Sequence, residues 1–324
     1  MSNAPDKIVF ALTSPGLDFY SAMTRVAIAS LRITNPCAKV VVAVDHKTNK
    51  AVNALGDPII AEVDEWVMIE TPDGADTFRN RYVKISLREV LTGPFLFLDS
   101  DILVRGPLAE IFALDVDLAG ARNHSRINVD EQIWSEDAKA IEALGWSTRP
   151  DVYINGGVIF YGDTDGARRF AAEWMRRWLD SSDKTGRYRD QPALNSALRA
   201  VVPRLFVLED RYNAQFITTP AAIKDAALWH YYSSRNAKPH TTFELLVRDL
   251  VSGKSLNQKK LHAAIKSPHP WRSQIIFDAW AADRVIQQNA FCGLPADWLM
   301  RRFRVPWSGR IKRLFRNGQA KLGS

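Results

Sequence analysis

The sequence predicts an α/β protein built on a mostly parallel sheet with helices on both faces. Three observations carry that expectation. Short apolar segments rich in β-branched and aromatic residues recur along the chain, helical periodicities fall between them, and one apolar run stops abruptly at two carboxylates. With 324 residues, 46% of them hydrophobic and 24% charged, the chain has the composition of an ordinary globular protein and can bury a core without staples.

Taken in order, residues 8–12 read as the first strand. They follow a polar start and are too short for the apolar region of a signal peptide. Residues 20–32 suit a helix, and 39–44 and 66–69 the next two strands. Residues 95–98, 118–121 and 157–161 are three more short apolar strands. Between 165 and 179, Phe170, Trp174, Met175, Trp178 and Leu179 recur at helical spacing, while Arg168, Arg169, Arg176 and Arg177 take the opposite face. That aromatic stripe is core packing. After about residue 240 the pattern turns helical, opening with a capping box over residues 241–244 and continuing through 277–285. The expected organisation is an α/β domain over 1–240, a helical extension over 241–297 and a basic amphipathic tail over 298–324.

Cysteine usage and charge narrow the classes further. Cys37 and Cys292 are the only cysteines, which excludes a disulfide framework, fits a reducing, cytoplasmic setting and leads us to expect buried or inert thiols. No apolar stretch is long enough to span a bilayer. Eight of the 43 Lys and Arg, and none of the 36 Asp and Glu, lie in residues 298–324, so the whole net charge of +7 sits in the tail. There the cations interleave with Trp298, Leu299, Phe303, Trp307, Ile311, Leu314 and Phe315, as a segment resting on an anionic membrane, such as the inner face of the cell membrane, requires. A solvated or docked tail is the alternative. Nucleic acid is not expected as a partner, since no recognition motif accompanies the charge.

The best clue to function is Asp99-Ser100-Asp101, directly after the apolar run 95–98. Residues two apart on an extended chain project the same way, so both carboxylates converge on one cation if the backbone stays extended. Ligands of open α/β sheets bind beyond the carboxyl ends of strands, and paired acids there favour a hard divalent ion, Mg²⁺ or Mn²⁺.

Further segments accompany this motif: Ala11-Leu12-Thr13 with Leu17-Asp18-Phe19-Tyr20, residues 79–84, Tyr153-Ile154-Asn155-Gly156-Gly157-Val158, Asp190-Gln191-Pro192-Ala193-Leu194-Asn195, and Trp229-His230-Tyr231 with Lys238-Pro239. In this order, over residues 8 to about 240, the chain resembles glycosyltransferase family 8, the retaining nucleotide-sugar transferases that include glycogenin and bacterial lipopolysaccharide galactosyl- and glucosyltransferases. The resemblance implies a GT-A fold, a UDP-sugar donor, a Mn²⁺ or Mg²⁺ ion, and a glycan, glycolipid or other hydroxyl acceptor. By the same resemblance Asp99, Asp101 and His230 are metal ligands, and Asp99 with Ser100 approaches the nucleotide. A histidine among Trp229, Tyr231 and Tyr232 is equally suited to a core position. Thr13 lies near the nucleotide, Tyr20 stacks on the base, and Lys84 reaches the diphosphate. Arg79 and Arg81 orient the acids. Lys238 matches a family lysine, but its spacing from His230 and the following Pro-His depart from the family pattern, leaving Arg235 as its substitute. Asn155, Gly156 and Gly157 let backbone approach the sugar, Gly156 standing where serine is usual. Asp190 holds donor hydroxyls and Gln191 lies at the anomeric centre.

Two other classes compete. An apolar strand ending in Asp-x-Asp also resembles the first motif of haloacid-dehalogenase-like phosphatases, with Asp99 as nucleophile and Asp101 as acid/base, although nearly a hundred residues precede it here and no convincing later acid pair follows. A non-catalytic nucleotide-sugar or membrane-binding module is the third reading.

Overall fold

The computed structural model describes residues 5–125, 128–215, 223–231, 241–278 and 281. Lys238, Arg235, Tyr232, Cys292, the basic tail and most of residues 277–285 lie outside them. The chain forms two compact units, 1–268 and 269–324.

The first unit is organised by a seven-stranded sheet. Its strands are β1 (Lys7–Leu12), β2 (Lys39–Val44), β3 (Glu65–Met68), β4 (Phe95–Leu98), β6 (Leu118–Arg122), β7 (Ile154–Tyr161) and β8 (Leu205–Leu208), in the order β3-β2-β1-β4-β7-β6-β8. All neighbours are parallel except the pairs that β7 makes with β4 and β6. A second sheet joins β5 (Ile102–Val104), β10 (Leu228–His230) and β9 (Ala214–Gln215), with β10 antiparallel to β5.

Helices cover both faces, as the alternation of elements predicts. The long ones are α1 (Phe19–Thr34), α2 (His46–Leu55), α4 (Asp76–Val90), α7 (Ser135–Ala143), α8 (Asp165–Thr185), α9 (Gln191–Val201), α10 (Thr242–Val251) and α11 (Gln258–Lys266). Single turns α3 (Ile59–Glu62), α5 (Ala109–Phe112) and α6 (Val129–Gln132) lie between them. Along β1 the side chains divide by parity. Ile8, Phe10 and Leu12 join the core under α1, while Val9 and Ala11 join the core under α4, α8 and α9. The expected stripe of α8 is in that second core, with Phe170, Trp174 and Trp178 fully buried. The capping box also forms, because the Thr241 hydroxyl accepts from Glu244 N while the Glu244 carboxylate accepts from Thr241 N. Helices α10 and α11 belong to the first unit, and α10 packs on α1.

Three expectations need correction. The backbone does not stay extended through Asp99-Ser100-Asp101. It turns there, because the chain must leave the large sheet at β4 and enter the small one at β5. Cys37 is exposed, on the turn that links α1 to β2. Strand β7 starts at Ile154, three residues earlier than expected, so Asn155, Gly156 and Gly157 are strand residues.

In the second unit, the described residues form a ring cluster in which His269 stacks on Phe277 at 4.8 Å and Trp271 lies 5.8 Å from Phe277. No helix among the described residues is long and apolar enough to cross a membrane.

Candidate active site

The carboxyl ends of β1 and β4, the N-terminal part of β7 and the end of β10 meet at one cleft. Strand pairing does the assembly. Register sets His230 opposite Ile102, and Tyr231 N donates to Asp101 O at 2.8 Å, so a residue 129 positions away lies beside Asp101. Its Nε2 is 3.2 Å from Asp101 Oδ1 and 3.9 Å from Asp99 Oδ2. Ligand atoms from Asp99, Asp101 and His230 all lie within 4.8 Å of one another. The other ring nitrogen, Nδ1, is 2.8 Å from Asn213 Oδ1. Since a carbonyl oxygen only accepts, Nδ1 carries the hydrogen, and a neutral ring then offers the Nε2 lone pair to the cleft.

The electrostatics agree with a site built for positive charge. Burial alone would raise the Asp101 carboxyl, but His230, with a backbone hydrogen bond and Lys84, holds it below the ordinary value. Burial would likewise depress His230, and Asp101 with Asp99 raises it instead. Two carboxylates and one imidazole nitrogen suit Mn²⁺, so the residues fit the divalent ion that the resemblance implies.

Gly157 makes room for this triad. Its carbonyl accepts from Asp99 N at 2.8 Å, which ties β7 to the turn. A Cβ added there would lie 2.8 Å from Asp99 Oδ2 and 3.0 Å from Asn155 Oδ1, and closer still to the His230 ring.

Behind the acids, α4 contributes cations. Lys84 Nζ is 2.9 Å from Asp190 Oδ2 and 3.3 Å from Asp99 Oδ1, and Arg81 Nε is 3.3 Å from Asp190 Oδ1. Burial would raise the Asp190 carboxyl, but Arg81 and Lys84 together hold it well below the ordinary range. Gln191 Oε1 is 3.2 Å from Asn155 Nδ2 and 3.3 Å from Gly156 N. Asn195 joins α9 to β7 by bonding both the Ile154 N–H and carbonyl, a structural role.

Two cavities open here. One of about 190 Å³ is lined by Thr13, Tyr20, Ser100, Arg81, Asp99 and Asp101. The other, about 720 Å³, holds Lys84, Asn155, Gly156, Gly157, Asp190, Gln191 and His230. Asp99, Asp101, Arg81 and Thr77 belong to both. The Asp18 carboxylate caps α1 through Tyr20 N and Ser21 N, fixing the start of the helix that carries Tyr20. Arg79 alone among the expected residues that are described lines neither cavity. Its guanidinium pairs with Asp45, which caps α2, and with Asp76 at 2.7 Å.

Sequence reasoning missed Asn213, His124, Trp134, Arg187 and Arg189. The two arginines adjoin the Asp190 motif, so their position was a usable signal. For Asn213 and Trp134 none existed, since pairing across the fold brings them in.

No family model matches the chain, and no curated protein matches it. Among solved structures, it is similar to the galactosyltransferase LgtC in complex with donor and acceptor sugar analogs. The TM-score is 0.52 at 17% identity, over 79% of this chain and 99% of that one. An active-site mutant of LgtC gives 0.51 at 17% identity, over 78% and 98%. The fold is the GT-A fold. The expectation drawn from the resemblance is therefore met at the level of architecture, and the phosphatase alternative finds no support in it.

Proposed function

We propose that the chain is a metal-dependent glycosyltransferase that moves a hexose from a UDP-sugar to a glycan, glycolipid or other hydroxyl acceptor, with retention at the anomeric carbon. The observation that carries this is the Asp99, Asp101 and His230 cluster, whose two acids line both cavities, with the Lys84–Asp190 pair beside it. LgtC, which shares the fold, was crystallised with donor and acceptor sugar analogs, and this supports the same reading.

The smaller cavity suits the nucleoside. Tyr20 offers a flat face to the base, and the buried Thr13 hydroxyl, without a hydrogen-bond partner among the described residues, offers one to the nucleotide. When bound, a divalent ion held by Asp99, Asp101 and His230 supplies positive charge to the diphosphate. Lys84 adds a second charge from the protein. Asp190, kept ionised by Arg81 and Lys84, accepts hydrogen bonds from sugar hydroxyls.

In the transfer, the bond from the anomeric carbon to the phosphate oxygen breaks and its electron pair stays on the phosphate. The acceptor oxygen bonds to that carbon from the same face, and its proton passes to the departing phosphate oxygen. Gln191 is a carboxamide, too weak a nucleophile for a covalent intermediate, and its Oε1 already faces Asn155 and Gly156. It supports the developing positive charge instead. The basic tail is proposed to rest on an anionic membrane surface, where vesicle co-sedimentation should fall as salt rises.

The experiment is a hydrolysis screen of nucleotide sugars with Mn²⁺ and with EDTA. Turnover of a UDP-sugar that needs the ion is the expected result. Turnover unaffected by EDTA, or release of inorganic phosphate without sugar release, overturns the reading.

A further inference from the structure

We infer that the acceptor is a saccharide bearing an anionic group, carboxylate or phosphate, held by Trp134 and Arg187, which line the larger cavity and not the smaller one. This rests on the transferase reading above and adds the chemistry of the second substrate. Because the two cavities meet at Asp99 and Asp101, a donor whose base lies by Tyr20 has its reacting carbon at the junction. The acceptor must then come from the remaining part of the 720 Å³ cleft.

That part has two chemical features. The first is an aromatic platform. Trp134, at the N-terminus of α7, is 40% exposed, and its ring centre is 5.2 Å from that of His124. His124 is itself fixed by Gln215, whose Oε1 lies 2.7 Å from its backbone N and 3.1 Å from Nδ1. A large flat ring left exposed in a polar cleft stacks on the apolar face of a pyranose.

The second feature is unbalanced positive charge. The acids that line the cleft are Asp99, Asp101 and Asp190, of which Lys84 and Arg81 already pair with Asp99 and Asp190 while His230 faces Asp101. In the segment that leads into Asp190, Arg189 pairs with the fully buried Asp137 of α7 at 2.6 Å while its side chain stays partly exposed. Arg187 is exposed, and no ion pair involves it among the described residues. The loop that carries both arginines is anchored between them, since Tyr188 packs on Phe78 at 5.3 Å and its carbonyl accepts from Trp178 Nε1. A guanidinium held in this way matches the two oxygens of a carboxylate or phosphate, a match a neutral sugar does not use.

The test compares binding of p-nitrophenyl β-D-glucuronide with that of p-nitrophenyl β-D-glucoside, which differ only in a carboxylate for a hydroxymethyl group. Glucose 6-phosphate against glucose forms a second arm. Affinities are read by ligand-observed NMR on the full chain with Mn²⁺ and UDP present. The wild type should prefer one charged ligand by about tenfold, and the arm with the larger ratio identifies the anion. Arg187→Ala should cut that ratio below about threefold, and Trp134→Ala should weaken charged and neutral ligands alike. Equal binding of charged and neutral ligands, or a preference unchanged in Arg187→Ala, overturns the inference. Hydrolysis across the nucleotide-sugar screen above is measured on the same wild-type sample with Mn²⁺. Hydrolysis without a charge preference removes this inference alone, whereas no hydrolysis of any nucleotide sugar removes the transferase reading and the acceptor role of Trp134 and Arg187 with it.

Discussion

Gly157→Ala should abolish tight metal binding while leaving the protein folded. The glycine is needed for space, since its φ lies outside the left-handed region and alanine meets no backbone penalty there. The added Cβ would lie 2.8 Å from Asp99 Oδ2, where ordinary contact begins near 3.4 Å, so that oxygen must retreat by about 0.6 Å. The His230 ring must move as well. Ligand distances in a working metal site hold to about 0.2 Å, so a displacement of this size removes one or two ligands from reach. We expect Mn²⁺ affinity to fall roughly 100-fold, about 2.7 kcal/mol, with a folding cost of about 1–3 kcal/mol from overpacking. Mn²⁺ titration followed by electron paramagnetic resonance, beside a thermal melt of the apo-protein, measures both. Gly156→Ser is the control. A Cβ there meets the flexible end of Lys84 at 3.3 Å, and the variant should keep affinity within a few-fold. A folded Gly157→Ala protein with wild-type Mn²⁺ affinity would refute the reasoning.

Other variants test the scaffold. Val202 ends α9 in the left-handed region, with φ 51°, and is 67% exposed. Val202→Gly should therefore stabilise by roughly 0.5–1 kcal/mol in urea unfolding, and a loss of stability would contradict the strain. Thr241→Ala removes one half of the capping box and should cost about 1 kcal/mol, a fall of roughly 2–4 °C in Tm. Glu173 is held down to about 2, chiefly by its hydrogen bond to Arg176 and also by Arg177, against the opposing effect of burial. A depressed carboxylate stabilises above its unfolded value of 4.5 and loses that contribution as pH falls towards 2. The advantage of wild type over Glu173→Gln, at most about 1 kcal/mol because Arg176 is largely exposed, should shrink from pH 6 to pH 2.5 in urea unfolding. A gap that widens on acidification would contradict the sign.

What was legible in the sequence follows from the range of the forces involved. Strands β1, β2 and β4 are continuous apolar runs, as strands buried on both faces must be, and α8 alternates an aromatic stripe with arginines. The capping box is a local motif and forms as read. Helix α4 was harder, because Arg79, Lys84 and Arg88 are buried and blur the boundary between its polar and apolar faces. Its N-terminus has no capping side chain either. Strand β7 contains Asn155-Gly156-Gly157, a composition typical of turns, although all eight of its residues are buried. The small sheet was illegible, since β5 and β10 have three residues each and pair over more than 120 positions. Resemblance alone joined His230 to Asp99 and Asp101. The bond from His230 to Asn213 had no counterpart in the sequence pattern at all.

The central claim is that Asp99, Asp101 and His230 hold a divalent ion beneath a nucleotide diphosphate. Calorimetric titration of UDP into the full chain tests it, with Mn²⁺, with EDTA, and with Asp101→Ala in Mn²⁺. The account predicts tight binding in the first case only, with Asp101→Ala folded and as weak as the wild type in EDTA. Equal affinity under all three conditions would contradict it.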